Sequence, residues 1–170
     1  TLADGEALVM EELCIRAIHT PGHMGGHVCL AFGDVLLSGD HAMGWASSLI
    51  SPPDGDMGAY MASLALLAGT NWAVMLPGHG AAVTEVARRL ATLRDHRKAR
   101  EAAILDALSE GPATPDDLTT RIYTDIPTTL IAAARRNVLA HLIDLTERNL
   151  VKTHSLPAPD AVFLQCSPLT

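Results

Sequence analysis

Three short segments of the chain each place a side chain able to bind a metal next to a glycine turn. They end in His23 (Thr-Pro-Gly-His), Asp40 (Ser-Gly-Asp) and His79 (Pro-Gly-His). Each segment follows an apolar run of strand type, so we expect the three side chains to stand at strand ends along one sheet edge. Imidazole and carboxylate are ligands of zinc, and iron and manganese accept the same donors. The sequence therefore predicts a metal site formed by His23, Asp40 and His79.

Three further histidines lie close to these segments. His27 follows His23 by four residues, His41 follows Asp40 directly, and His19 precedes the first glycine turn. For His27 we favour a supporting or hydrogen-bonded core role over direct ligation, because histidines beside a metal site more often orient the ligands. Direct ligation by His19 and His41 is disfavoured to a similar degree. For His41 a hydrogen bond to a substrate stays open. No catalytic group besides the metal ligands is assigned.

The apolar pattern predicts an α/β fold. Strand-like runs cover residues 6–18, 27–32 and 35–38, and Gly33-Asp34 between two of them is typical of a hairpin. Helical spacing covers residues 57–67, a short strand precedes Pro77, and a long helix spans 84–109 with an expected break near 95–96. From residue 97 the order is three helices and two short strands, as in a winged helix. We therefore predict two domains, residues 1–96 and 97–170.

Composition limits the classes of function. The chain of 170 residues is 48% hydrophobic and has a net charge of −7, and most of the acidic excess falls in residues 1–96. A negative charge around a site disfavours polyanions. No apolar run is long enough for a membrane helix, so no membrane association is expected. An odd number of cysteines, with Cys14 and Cys29 expected to be buried, fits a reducing compartment, and we predict a cytoplasmic protein.

In their residue types and in their order along the chain, the three segments resemble the third, fourth and fifth motifs of the metallo-β-lactamase-fold hydrolases. The His96-Arg97 segment and the winged-helix pattern resemble the subgroup related to β-lactamase-like protein 2. The resemblance implies the C-terminal half of an αββα sandwich followed by a winged helix. It also implies a dinuclear zinc site, with iron or manganese as alternatives, in which His23 binds one metal, His79 the other, and Asp40 bridges both.

By the same resemblance the activity is hydrolysis of a small ester, thioester or lactone by a metal-bound hydroxide. The family's motif His-x-His-x-Asp-His, which precedes the others and completes the site, does not occur in this sequence. We therefore expect the chain to be the C-terminal part of a longer hydrolase, to bind metal weakly and to be inactive by itself. Its expected partners are a small-molecule substrate and either the missing N-terminal half or a second copy, bound through an exposed sheet face.

Two alternative functions remain open. The first is an endoribonuclease of the same fold acting on single-stranded RNA. The second is a non-catalytic regulatory module whose winged helix engages a partner or DNA. If the helical part bound nucleic acid, its basic residues would contact the phosphates; these are Arg135, Arg136, Arg148 and Lys152. Charges in residues 97–154 cancel, however, so packing, closure of a substrate pocket or dimerisation is favoured over nucleic-acid binding.

Overall fold

The computed structural model describes residues 3–11 and 13–166 and shows one five-stranded sheet with two helices against it, followed by a helical part with a two-stranded ribbon. The strands of the large sheet, in spatial order, are β1 (Ala7–Met10), β2 (Leu13–His19), β3 (Val28–Phe32), β4 (Val35–Gly39) and β5 (Val74–Pro77). Neighbouring strands are antiparallel up to β4, whereas β5 runs parallel to β4. A parallel pair needs a crossover connection, and a helix supplies it here.

That crossover helix is the first of four α-helices. They are α1 (Met57–Ala68), α2 (Val86–Ser109), α3 (Pro115–Ile122) and α4 (Ile131–Glu147). The ribbon that follows pairs β6 (Val151–Thr153) with β7 (Phe163–Gln165). The order of helices and ribbon matches the winged helix predicted from the sequence. Within the part of the chain that the structure describes, every helix is too short or too polar to span a membrane.

Local sequence explains where several elements begin. Asp56 caps α1 by accepting a hydrogen bond from the backbone N–H of Ala59 at 2.8 Å. Thr114 and Asp117 form a reciprocal capping box at the start of α3, with Pro115 in its first turn. The hairpin predicted at Gly33-Asp34 is confirmed, since β3 and β4 pair across it.

Three details differ from the sequence prediction. The run 6–18 is not one strand but a hairpin of β1 and β2, which turns at Glu11 with a φ of 54°. Helix α2 is continuous through 95–96, so the expected break there is wrong. Arg97, directly after this position, is buried. Cys29 is buried as expected, but Cys14 is exposed because it lies on the outer hairpin.

The apolar side chains form two separate cores. The first packs one face of the sheet, including Cys29, Leu36 and Met75, against α1 and the N-terminal half of α2. The second lies within the helical part and centres on buried residues such as Leu142 and Phe163. The cores divide along α2, and the predicted domain limits of 1–96 and 97–170 remain a prediction because this helix passes continuously between them.

The opposite face of the sheet carries apolar side chains that nothing covers among the described residues. Phe32, Leu37 and Leu76 are 44%, 39% and 40% exposed. They alternate with the buried residues of β3, β4 and β5, and Leu37 is paired directly with Leu76 across neighbouring strands. We call this surface, made by Phe32, Leu37 and Leu76, the open sheet face. Contiguous exposed apolar patches of this kind usually mark an interface.

Candidate metal centre

Asp40 and His79 meet at one edge of the sheet. Asp40 directly follows β4, and His79 is separated from the end of β5 by Gly78; these two strands are parallel neighbours. The imidazole Nε2 of His79 lies 3.6 Å from Oδ1 of Asp40. This Oδ1 is buried and has no hydrogen-bond partner among the described residues. A buried, unpartnered carboxylate oxygen is costly unless a cation or a hydrogen-bond donor approaches it.

Glycine at position 78 makes this approach possible. A Cβ atom there would lie 2.6 Å from Oδ1 of Asp40, so any side chain would push the carboxylate away. The backbone N–H of Gly78 donates to the carbonyl of Gly39 at 2.8 Å and ties the two strand ends together. Gly22 has a similar role in the first segment, because a Cβ there would lie 2.3 Å from Cα of Tyr60 in α1.

His23 is oriented by the loop that follows Asp40. Its Nδ1 lies 2.6 Å from the carbonyl oxygen of Leu49. A carbonyl accepts hydrogen bonds but does not donate them, so Nδ1 carries the proton and Nε2 keeps its lone pair. Metal-binding histidines are commonly held in this way by a hydrogen bond from the other ring nitrogen. Nε2 is therefore the ring nitrogen of His23 that is free to bind a metal, and the role of His23 as a ligand stays a prediction.

The donors present fit part of a metal centre. Zinc binds nitrogen and oxygen at about 2.0–2.1 Å in a tetrahedron, which places two ligand atoms roughly 3.4 Å apart. The 3.6 Å between Nε2 of His79 and Oδ1 of Asp40 is close to that separation. Among residues 3–11 and 13–166, however, no three His, Cys, Asp or Glu side chains converge tightly enough to hold a metal ion. Asp40 and His79 are thus brought together, while His23 stands apart from the pair.

A column of rings runs inward from the half-buried His23 through the buried rings of His27 and His41. The ring centroids of His23 and His27 are 6.4 Å apart, those of His27 and His41 are 5.4 Å apart, and His41 lies 4.7 Å from Tyr60. Burial, followed by the charges of His27 and His23, lowers the pKa of His41 to about 3, so this ring is neutral. Its complete burial argues against the suggested hydrogen bond between His41 and a substrate.

The other two histidines also have supporting positions. Nδ1 of His27 is 2.9 Å from the hydroxyl of Thr20, which agrees with the hydrogen-bonded role predicted for it. Burial lowers the pKa of His27, and the charge of His23 lowers it further, whereas Asp40 raises it. His19 is exposed on β2 and its Nε2 lies 3.1 Å from the carbonyl of Gly25.

The loop after Asp40 is held firmly by hydrogen bonds that the sequence did not predict. The hydroxyl of Ser48 lies 2.5 Å from the carbonyl oxygen of Asp40 and 2.9 Å from that of His41. The carbonyl of Ser48 in turn accepts a hydrogen bond from Nη2 of Arg97 in α2. Arg97 is one of the most completely buried side chains of the protein, and its Cζ lies 5.3 Å from the ring centre of Tyr60.

Two more side chains hold the same loop. Arg89 of α2 donates to the carbonyls of Met43 and Ala46, each at 2.7 Å. Asn137 of α4 accepts at Oδ1 from the backbone N–H of Ile50 at 2.9 Å and from Arg97 at 3.3 Å. We call Arg89, Arg97 and Asn137 the loop clamp. The His96-Arg97 pair was the available signal, although the sequence did not show which backbone groups it binds.

Behind the loop clamp, α4 buries another histidine. The two ring nitrogens of His141 have no hydrogen-bond partner among the described residues. Burial, and then the positive charges of Arg97 and Arg148, lowers the pKa of His141 to about 3; His96 and Arg100 act in the same direction. The unfolded chain would bind this proton at a pKa near 6.5. Between these two values only the unfolded state is protonated at this residue, so stability falls as pH falls through the window.

We predict that His141→Leu reduces the acid sensitivity of folding. When the pH falls from 7.5 to 5, protonation of His141 in the unfolded state should lower the free energy of unfolding of the wild type by about 2 kcal/mol. The variant lacks this histidine, so the same pH change should lower its free energy of unfolding by about 2 kcal/mol less. Urea unfolding at both pH values measures the difference. The control is His154→Leu, since His154 is exposed. Equal acid sensitivity in the wild type and His141→Leu would contradict the neutral buried state of His141.

Known families match both parts of the chain. Residues 1–79 match the metallo-beta-lactamase superfamily, and residues 114–156 match the beta-lactamase associated winged helix domain. Residues 1–79 therefore form part of a metallo-β-lactamase domain, and a winged helix follows it. A metallo-beta-lactamase family protein from Thermus thermophilus has a similar structure, with a TM-score of 0.82 and 28% identity over 97% of this chain and 54% of that one. The predicted metallo-β-lactamase fold with a winged helix is confirmed.

Curated metallo-β-lactamase relatives are similar over part of their length. An atrochrysone carboxyl ACP thioesterase from Aspergillus chevalieri is 32% identical over 64% of this chain and 35% of its own. The beta-lactamase-like protein 2 homolog of Drosophila melanogaster is 30% identical over 89% of this chain and 52% of its own. The chain thus spans about one third to one half of these relatives. The resemblance to the β-lactamase-like protein 2 subgroup is confirmed.

Three of the four basic residues considered for a nucleic-acid face, Arg135, Arg136 and Arg148, are engaged within the molecule. Arg135 forms an ion pair with Asp116, and Arg136 donates to the hydroxyl of Ser51 at 3.2 Å. Arg148 lies 2.6 Å from Glu101 and 2.9 Å from Asp144. Helix α4, which would be the recognition helix, also contributes Ala140 to the first core. These contacts agree with the packing role favoured over nucleic-acid binding.

Proposed function

We propose that the complete protein is a metal-dependent hydrolase of a small ester, thioester or lactone, and that His23, Asp40 and His79 are among its metal ligands. The observation that carries this proposal is the pairing of Asp40 and His79 at 3.6 Å around a buried carboxylate oxygen that has no hydrogen-bond partner among the described residues. Zinc suits these nitrogen and oxygen donors, and iron or manganese would be accepted by the same set. The superfamily match over residues 1–79 supports the same chemistry.

Each residue has a distinct task in this proposal. Asp40 offers two oxygens, one buried beside His79, so it is suited to neutralise and space two cations. His79 is 71% exposed and stands on the solvent side, where a substrate could reach its metal. His23 is fixed through Leu49 with Nε2 free. When bound, such metals supply Lewis acidity and activate water, which is what hydrolysis of an acyl bond requires.

Acyl transfer is favoured over phosphoryl transfer as the reaction class. One relative that is 32% identical is named a thioesterase. The net charge of −7 also disfavours a polyanionic substrate, and the winged-helix arginines are already paired within the molecule. An electrically neutral ester or thioester carbonyl meets no such repulsion.

Completion of the site needs further ligands. Structural and catalytic zinc sites use three or four protein ligands, and the described residues bring only two of the predicted three into direct proximity. We propose that a segment with the His-x-His-x-Asp-His motif, or a partner chain, supplies the others. Such a segment would also have a place to bind, since the open sheet face lies uncovered on the same sheet.

A zinc titration of the 170-residue chain tests these assignments. We expect a dissociation constant in the micromolar range or weaker, because few ligands are present, and no thioester hydrolysis above that of Asp40→Asn. Asp40→Asn and His79→Ala should each weaken zinc binding at least about tenfold, since each removes a ligand. Competition with a chromophoric chelator measures the affinity, and mass spectrometry after dialysis measures the metal content.

The matched controls are Asp34→Asn in the exposed β3–β4 turn and His154→Ala in the ribbon loop, which should bind zinc like the wild type. Zinc affinity unchanged by Asp40→Asn and His79→Ala would refute the assignment. One or two tightly held zinc ions per chain would instead show that other residues complete the site.

A further inference from the structure

A cavity of about 460 Å³ lies between the loop after Asp40 and the helical part. Loop residues Met43, Trp45 and Leu49 form one side, and Tyr123, Ile126 and Leu130 form the other. Its walls are mainly apolar, and the volume is sufficient for a small organic molecule. None of the predicted metal ligands lines this cavity, and it lies outside the two apolar cores.

The charge of the cavity is opposite to that of the protein. Its lining contains His96, Arg97 and Arg100, and none of the described residues that line it is acidic, although the chain has a net charge of −7. Arg97 is already bound to the carbonyl of Ser48, and burial lowers the pKa of His96. Arg100 is therefore the cationic side chain of the lining that is available to bind an anion. It is half-buried, and its Cζ lies 4.4 Å from the ring centre of Tyr123. Arg100 has no ion pair within residues 3–11 and 13–166.

The cavity adjoins the candidate metal centre on two sides. The indole of Trp45 packs against Gly80, the neighbour of His79, where its Cδ1 would be 2.7 Å from a Cβ atom. Trp45 is 71% exposed, so this ring stands at the rim. Leu49 lines the cavity with its side chain and holds His23 with its carbonyl. A molecule in the cavity would therefore extend toward the metal ligands.

We propose that this cavity binds the apolar part of an acyl substrate that carries a carboxylate at the end remote from the scissile bond. The apolar walls would hold an aromatic or alkyl group, and Arg100 would pair with the carboxylate, since guanidinium binds carboxylate with geometric and energetic preference. This inference rests on the proposed hydrolase for the bond that is cleaved. Binding in the cavity does not depend on a metal, so the two proposals can be tested separately.

The test is calorimetric titration of the metal-free full chain with 2-naphthoate and with its neutral isostere 2-naphthamide. We expect naphthoate to bind at least about tenfold more tightly than naphthamide. Arg100→Gln should remove that preference, and Leu130→Asp should weaken naphthoate at least about tenfold. Lys98→Gln is the matched control, because it removes the same charge from an exposed position of α2 and should change nothing.

Equal affinity of the wild type for naphthoate and naphthamide would overturn the proposal, and so would naphthoate binding unaffected by Arg100→Gln. The first comparison uses the unaltered chain and stays valid if a variant fails to fold. Asp40→Asn should bind naphthoate normally. A wild-type chain that binds zinc as proposed but shows no preference for naphthoate would reject the cavity proposal alone. A preference for naphthoate, together with zinc affinity unchanged by Asp40→Asn and His79→Ala, would reject the metal assignment alone.

Discussion

Replacing Arg97 with methionine is expected to lower the free energy of unfolding by about 3 kcal/mol and to weaken zinc binding about tenfold. Methionine fills similar space but cannot donate hydrogen bonds, so the carbonyl of Ser48 loses its donor and Oδ1 of Asn137 keeps only the backbone N–H of Ile50. Each unsatisfied buried acceptor costs roughly 1–3 kcal/mol. The effect on zinc follows because Ser48 holds the backbone carbonyl of Asp40 at 2.5 Å, and groups that orient a ligand typically affect affinity by about 10–100-fold.

Urea unfolding followed by circular dichroism measures the first effect, and the chelator competition measures the second. Arg94→Met is the matched control, since Arg94 lies on the same helix and pairs only with its neighbour Asp95 among the described residues. If Arg97 acts through Ser48, the effects of Arg97→Met and Ser48→Ala on zinc affinity will not add. Full additivity, or an unfolding free energy within about 0.5 kcal/mol of the wild type, would contradict the clamp.

Self-association through the open sheet face is the second large effect expected. Leu37 and Leu76 are adjacent on neighbouring strands, and Phe32 extends the apolar surface. Burying such a patch against a second copy removes apolar area from water and stabilises the pair. Sedimentation of the wild-type chain should therefore show dimers or larger species at tens of micromolar, whereas Leu37→Lys with Leu76→Lys should sediment as a monomer, because two adjacent charges would have to be desolvated.

The matched control carries the same two charges elsewhere. Leu66 on α1 and Leu156 in the ribbon loop are 54% and 86% exposed, so Leu66→Lys with Leu156→Lys should associate like the wild type. A monomeric wild type with one cooperative unfolding transition would refute the expectation. Association that persists in the Leu37 and Leu76 variant would assign it to another surface.

Much of the fold could be predicted from the sequence because its signals are local. The Gly33-Asp34 hairpin, the Thr114 capping box and the helix-ribbon order of the winged helix each depend on residues within a few positions of one another. The single strand predicted over residues 6–18 failed at a local turn, whereas the predicted helix break failed because of distant contacts. The polar stretch around residue 96 suggested a helix break, yet α2 is continuous because the buried Arg97 finds its partners in Ser48 and Asn137.

The candidate site also has features that the local sequence predicts and others that depend on tertiary contacts. The sequence determined which donors stand at the strand ends, because a glycine turn after a strand sets the position of the next side chain within one or two residues. Only the tertiary structure decided that Asp40 and His79 face each other at 3.6 Å and that His23 stands apart. It also decided that the loop after Asp40 is held by the helical part. Such arrangements depend on which strands become neighbours and which groups lose contact with water, and these are properties of the packed chain.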